Sequence, residues 1–67
     1  MPGYEFRQPQ VTTTRHMATD EDAKGRAGRL AKRHNCPVEL WTTAGAYLTT
    51  AQPSPTHFRG YRFEART

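Results

Sequence analysis

The sequence predicts a small α+β domain in which one helix covers one face of a mainly antiparallel sheet. Three observations lead to this prediction: a segment with capping signals at both ends, flanking segments that alternate apolar and polar residues, and a length of 67 residues. The predicted order is β-α-β-β-β, within a single domain over residues 1–67. Because one helix can cover only one face, the other face of the sheet should be partly open.

The first part of the chain predicts a loose start over residues 1–3 and extended structure over residues 4–18. Aromatic and polar residues alternate from Tyr4, and the residues after Pro9 are rich in β-branched side chains. Pro9 itself suits an edge strand or a bulge, because proline cannot donate to a sheet ladder. This segment forms either one long bent strand or two short ones. The residues expected on one side of it are Val11, Thr13, Arg15 and Met17.

Residues 19–34 predict a capped helix. Thr19 is a favourable N-cap, acidic residues fill the first turn and basic residues fill the last, as the helix dipole prefers. Asn35 suits the left-handed position after the helix, and Pro37 prevents continuation. The stripe expected to face the sheet consists of Ala23, Ala27, Leu30, Ala31 and His34.

Residues 38–51 predict a β-hairpin. A two-residue turn would place Ala44 at positive φ, so a three-residue loop with a left-handed Gly45 is preferred. The cross-strand pairs expected from that loop are Leu40 with Leu48 on the helix side and Trp41 with Tyr47 on the open side.

The C-terminal part predicts a proline-stiffened loop over residues 52–57 and a last strand over residues 58–65. The loop contains Pro53 and Pro55, and the residues after it again alternate apolar and polar.

Composition limits the classes of function. The formal charge is +4, and three of the six acidic residues lie together at residues 20–22. The rest of the chain is therefore strongly basic, which favours binding to a polyanion or to an acidic protein surface. Cys36 is the only cysteine, so an internal disulfide is excluded and a reducing, cytoplasmic setting is the default. No apolar run has the length of a membrane span. The chain has few large apolar residues with which to build a core, so stabilisation by homo-oligomerisation or by a partner protein is also considered.

Two groups of residues are candidates for binding a macromolecule. The first is the pair of Trp41 and Tyr47 on the sheet face away from the helix. Strand arginines such as Arg7, Arg59 or Arg62 should border this pair, which either stacks on a partner or merely stabilises the hairpin. The second is the basic side of the helix, which either meets phosphates or is an ordinary solvated surface. The predicted binding residues are Trp41, Tyr47, Arg59, Arg62, Arg26, Arg29, Lys32 and Arg33.

Catalytic and metal chemistry receive little support from the sequence. The three histidines lie in separate segments without a metal-ligand spacing, His34 with Cys36 being the nearest approach to one. Ser54 lacks a nucleophile elbow, and the carboxylates outside the helix cap are scattered. We therefore expect no enzyme activity, no cofactor and no metal.

The leading hypothesis is a non-enzymatic module that binds nucleic acid through a basic and aromatic sheet face. The alternative is a protein-binding regulator or inhibitor that uses the same face, or a homodimer. In general character this short, arginine-rich chain resembles small accessory proteins of phages and mobile elements. No specific motif carries that resemblance, so it assigns no site residues.

Overall fold

The computed structural model describes residues 2–65, which form one helix packed against a five-stranded antiparallel sheet. The sheet order is β2-β1-β3-β4-β5, so β2 and β5 are the edge strands. The α+β class predicted from the sequence is confirmed. The elements are β1 (Gly3–Arg7), β2 (Thr12–His16), α1 (Asp20–His34), β3 (Val38–Thr42), β4 (Tyr47–Pro53) and β5 (Tyr61–Glu64).

The first two strands form a hairpin, so the segment is two short strands. Pro9 lies in the connecting turn, not in an edge strand or a bulge, and there its missing N–H costs no ladder bond. The N–H of Gln8 closes the turn by donating to the carbonyl of Val11 at 2.9 Å. Gly3 already belongs to β1, so the loose start is shorter than predicted. Met1, Arg66 and Thr67 lie outside the described residues.

The helix has the predicted ends. The Thr19 hydroxyl accepts a hydrogen bond from the N–H of Asp22 at 3.1 Å, and Asn35 takes the left-handed conformation with φ of 51°. The N–H of Asn35 donates to the carbonyl of Ala31. Both ends are set by local hydrogen bonds, which is why sequence signals locate them. No helix within residues 2–65 is long and apolar enough to span a membrane.

The core lies between α1 and the facing side of the sheet. The helix contributes small residues, which let it approach the sheet closely, and Leu30 packs at the margin. His34 is exposed, so its predicted place in the buried stripe is wrong, and Gly28 is buried instead. The fully buried apolar residues are Tyr4, Phe6, Ala23, Ala27, Ala31, Val38, Leu40 and Ala51.

The position of the helix over the sheet explains why Gly28 is buried and His34 is exposed. A Cβ added to Gly28 would overlap the ring of Tyr61, so this glycine lets the helix lie directly against β5. The helix packs on β3, β4 and β5, and all five residues of β2 are exposed. The sheet therefore extends beyond the helix on the β2 side.

The loop between β3 and β4 has the predicted three-residue form. Gly45 has φ of 94°, and its N–H donates to the carbonyl of Thr42 at 3.0 Å. The N–H of Thr42 donates in turn to the carbonyl of Ala46 at 2.8 Å. Gly45 thus supplies the positive φ that ends this turn.

The strand register after that loop is partly as predicted. Trp41 lies opposite Tyr47, which confirms the aromatic pair, but Leu40 lies opposite Thr49. The predicted pairing of Leu40 with Leu48 is wrong because a β-bulge inserts one residue into β4. Leu48 still packs at the margin of the core.

The connection between β4 and β5 lies further along the chain than predicted. β4 continues through Pro53, and β5 begins only at Tyr61. The predictions of a loop over 52–57 and a strand over 58–65 are therefore wrong at these boundaries.

A tight turn over residues 54–60 replaces the predicted beginning of the last strand. The N–H of Ser54 donates to the carbonyl of Gly60 at 3.0 Å, and the N–H of Gly60 donates to the carbonyl of His57 at 2.9 Å. Gly60 has φ of 83°, a conformation that a strand residue does not adopt.

Tyr4 ties β1 to the beginning of the helix. Its side chain is 1% exposed, and its hydroxyl donates a hydrogen bond to the carboxylate of Asp20. That hydrogen bond, burial, and the negative charges of Asp20 and Asp22 raise the pKa of Tyr4 to about 12. The neutral phenol is thus the form that the folded state favours.

We expect the free energy of unfolding to decrease as the pH rises from about 10 to about 12, because only the folded state keeps the Tyr4 proton there. Below the ordinary tyrosine pKa both states hold the proton, so this contribution is fully present. Urea unfolding at a series of alkaline pH values measures the decrease, and Tyr4→Phe should show a smaller one. Equal pH dependence in the two proteins would contradict the role assigned to Tyr4.

Candidate functional site

The structure distributes the predicted binding residues over three places. The aromatic pair lies on the sheet face opposite the helix, since it alternates along its strand with buried Leu40. We call this side the open face. Sheet-face aromatics and helix arginines therefore do not form one surface. Trp41, Tyr47 and Arg62 lie on the open face, Arg26, Arg29, Lys32 and Arg33 lie on α1, and Arg59 lies in the turn over residues 54–60.

The aromatic pair is held by polar contacts from its own face. The ring centroids of Trp41 and Tyr47 are 5.4 Å apart in an edge-to-face arrangement. The guanidinium of Arg7 lies 4.1 Å from the Trp41 ring centroid, which confirms that this arginine borders the pair. The Trp41 indole N–H donates to Glu39 at 2.9 Å, and the Tyr47 hydroxyl is 2.6 Å from the hydroxyl of Thr50. The polar atoms of the pair and one side of the Trp41 ring are therefore already in contact with residues of the same face.

The open face is mixed in charge. Arg7 forms an ion pair with Glu5 at 2.9 Å, and Arg62 forms one with Glu64. Glu39 lies on the same face, beside Trp41. Among the described residues this face thus holds two arginines and three glutamates, and it is not predominantly basic.

The positive charge is concentrated on the other side of the molecule. Six cationic residues, which we call the basic surface, lie on α1, on the helix-facing side of β2 and in the turn over residues 54–60. None of them forms an ion pair with a described residue. The acids lie elsewhere, three in the first helical turn and three on the open face. The basic surface consists of Arg15, Arg26, Arg29, Lys32, Arg33 and Arg59.

A groove of about 570 Å³ lies at one end of the basic surface, between α1 and the β1–β2 hairpin. It exists because the helix packs towards β5 and leaves β2 uncovered. Two cations line it, and no described lining residue is acidic. The lining residues are Gln8, Pro9, Gln10, Val11, Thr13, Arg15, Arg26, Leu30, His34 and Cys36.

Arg26 is the more deeply buried of the two cations that line the groove. Its Nε is buried and has no hydrogen-bond partner among residues 2–65. Burial lowers the pKa of Arg26, and the neighbouring charges of Arg15 and Arg29 lower it further. Arg15 and Arg26 thus line one groove that has no acidic residue among its described lining residues, which favours an anion at this position.

The groove does not offer a metal site. His34 and Cys36 both line it, but within the described part of the chain no three His, Cys, Asp or Glu side chains are placed to hold a metal ion.

The turn over residues 54–60 presents an exposed aromatic ring beside Arg59. Phe58 is 85% exposed, the ring of His57 stacks on it at 4.6 Å, and the Arg59 guanidinium lies 5.1 Å from its centroid. The turn follows Pro53, six residues along β4 from Tyr47, about 20 Å in a strand. The prediction that Arg59 borders the aromatic pair of the open face is therefore wrong.

Lys32 connects the helix to this turn. A Cβ on Gly60 would come within 2.7 Å of the Lys32 Cδ, so the aliphatic part of this lysine lies over the turn. Lys32 and Phe58 border one shallow hollow at the C-terminal end of α1. The basic surface therefore extends from the groove, across the helix, to an exposed aromatic ring.

Two residues of this region, Arg15 in the basic surface and Phe58 beside it, are absent from the binding residues that the sequence predicts. The sequence predicts that Arg15 shares one side of its strand with Val11 and Thr13, but only the strand order shows that this side faces the groove. The alternation of residues 58–65 predicts a strand that begins at Phe58, whereas Gly60 after it and two prolines before it are turn signals.

Comparison of the chain with protein-family models, with curated proteins and with solved structures found no match.

Proposed function

We propose that this protein is a non-enzymatic nucleic-acid-binding module that uses its basic surface. The separation of charge carries the proposal: six cations without an acidic partner among the described residues lie on one side, and the acids lie elsewhere. Unpaired arginines and lysines at a surface are the groups that neutralise phosphates and set non-specific affinity. Five of the six are arginines, which can donate two parallel hydrogen bonds to one phosphate.

The dimensions of the surface support an extended polyanion as the partner. Arg15 on the edge strand β2 and Arg59 beyond β4 lie at opposite sides of a five-stranded sheet. Strands are about 4.8 Å apart, so the full width of the sheet is about 19 Å. That width corresponds to about six phosphates along one strand of a duplex, at about 3.4 Å each. A single small anion would leave most of these cations unused.

The exposed ring of Phe58 adds a second feature of nucleic-acid surfaces. Aromatic side chains next to cations stack on unpaired bases, and such stacking is tolerant of sequence. Phe58 is mostly exposed and has Arg59 and Lys32 beside it, whereas Trp41 is partly buried and its indole N–H already donates to Glu39. The proposal therefore moves the stacking role from the open face to the turn over residues 54–60.

The proposal is tested by titrating labelled single-stranded and duplex oligonucleotides with the protein at several salt concentrations, using fluorescence anisotropy. If about four phosphates are neutralised, the logarithm of the association constant should fall with the logarithm of salt with a slope of about −3 to −4. Absence of binding at low salt, or an affinity that does not respond to salt, would refute the proposal.

A second candidate function is protein recognition through the open face, as a regulator or inhibitor or in a homodimer. The specific observation in its favour is the cluster of Arg7, Trp41 and Tyr47, residue types that dominate protein interfaces, on a face of mixed charge. Such a face suits a partner with complementary polar groups better than a polyanion. A cytoplasmic location is proposed with either function, since the only cysteine is a free thiol.

A further inference from the structure

We infer that the groove between α1 and the β1–β2 hairpin holds one nucleotide of a single strand, with its phosphate on Arg15 and Arg26. The inference rests on the proposed function and specifies the kind of nucleic acid and the position of one unit of it. Its starting point is an unusual lining for a groove of about 570 Å³: guanidinium groups, apolar side chains and side-chain amides, without an acid among the described residues.

The phosphate position follows from the two arginines. Arg15 lies on the helix-facing side of β2, directly opposite Tyr4, and Arg26 faces it from the helix. The Nε of Arg26 is buried and has no acceptor among residues 2–65. A buried donor without an acceptor destabilises the fold, so turning the Arg26 guanidinium onto a phosphate oxygen in the groove would remove that penalty. Charge-assisted hydrogen bonds from guanidinium to phosphate are among the strongest in proteins.

The base position follows from the apolar part of the lining. Val11 is 52% exposed at the rim of the groove, and Leu30 contributes a partly buried wall on the helix side. Together they can cover the flat surface of a base. Gln8 and Gln10 lie on the same hairpin, and their amides can both donate to and accept from a base edge.

The size of the groove indicates a single nucleotide unit and not a duplex. Its volume of about 570 Å³ lies within the range of small-molecule sites, about 300–1,000 Å³. A base in a duplex is paired and stacked, and placing it here would require it to be unstacked and unpaired. Single strands present their bases without that cost, so the groove should prefer them.

The test compares Arg26→Gln with Lys24→Gln, a matched loss of one charge from the same helix at a position outside both the groove and the basic surface. Binding of a labelled single-stranded oligonucleotide is measured by anisotropy. Arg26→Gln should weaken it by about 10- to 100-fold, as expected for lost hydrogen bonds to a charged group. Lys24→Gln should weaken it by no more than about threefold, as for a surface charge outside the interface.

Two further measurements distinguish a binding role from a structural one. Arg26→Gln should melt at the same or a higher temperature than the wild type, because it removes a charge that burial and neighbouring arginines disfavour. A nucleoside 5′-monophosphate should displace the labelled strand at lower concentration than inorganic phosphate, since only the nucleotide offers a base to Val11 and Leu30.

The outcomes separate this inference from the proposed function. If the wild type binds the strand but both variants weaken binding equally, the groove is not the nucleotide site, and nucleic-acid binding by the protein still stands. Equal displacement by phosphate and nucleotide would overturn the base position. If the wild type binds no oligonucleotide at low salt, the proposed function fails and the inference fails with it.

Discussion

Replacing Gly28 by alanine is expected to lower the free energy of unfolding by about 1–3 kcal/mol, the usual cost of overpacking a filled core. The new Cβ would overlap the ring of Tyr61, so the helix or the ring must move. Alanine is the better helix former by about 1 kcal/mol, but that gain offsets only part of the strain. A domain of this size has a small margin of stability, so the effect should be plain in urea unfolding.

Gly25→Ala is the matched control for this prediction. It lies on the same helix, and a Cβ there would meet only the end of the Arg29 side chain at 3.5 Å, which is an ordinary contact. We expect this variant to gain up to about 1 kcal/mol from helix propensity alone. The two glycine replacements should thus have opposite signs. Stabilisation by both would contradict the close packing of α1 on β5.

The same substitution connects packing to the groove. If Gly28→Ala moves the helix sideways over the sheet and away from β5, the helix moves towards the uncovered strand β2. The groove on that side should then narrow, and oligonucleotide affinity should fall at concentrations where the variant remains folded. Gly25→Ala should leave the affinity unchanged.

The parts of the fold that sequence predicts well are those fixed by local hydrogen bonds. Thr19 and Asn35 cap the helix through partners within four residues, and Gly45 closes a turn of three residues. Such contacts depend on residue type and spacing, which the sequence contains in full. The bulge at Leu48 depends instead on how β3 and β4 pack together against the core. Residue types alone therefore do not predict the pairing of Leu40 with Thr49.

The candidate site depended on information that is not local. Arg15 joins Arg26 only because β2 is the edge strand next to β1 and the helix packs towards β5. That packing is set by Gly28 and Tyr61, which are far apart in the sequence. The mixed charge of the open face likewise cannot be predicted from the sequence alone, because strand order decides which glutamates and arginines become neighbours.

The largest expected effect on function is that of Arg29→Glu/Arg33→Glu, which reverses two exposed cations at the centre of the basic surface. Each replacement changes the charge by two, so the formal net charge of +4 becomes zero. We expect oligonucleotide affinity to fall by about 100-fold or more, since each reversal removes an attraction and adds a repulsion. The salt slope should become shallower by about one unit for each arginine removed from a phosphate.

Lys24→Glu/Arg62→Glu is the control with the same change of net charge. Lys24 and Arg62 form ion pairs with Glu21 and Glu64 and lie outside the basic surface. If long-range charge alone drives binding, the two double variants should lose affinity equally. If the basic surface is the interface, the control should retain most of its affinity and nearly the wild-type salt slope.

Trp41→Ala completes the comparison by testing the open face, after its melting curve has shown that it folds. It removes the centre of the cluster formed with Arg7 and Tyr47 but leaves the basic surface untouched. Under our proposal this variant binds oligonucleotides as the wild type does, while the arginine reversal does not. The opposite pattern would return nucleic-acid binding to the sheet face. Protein recognition would instead be indicated if the wild type ignores oligonucleotides and Trp41→Ala alone abolishes self-association.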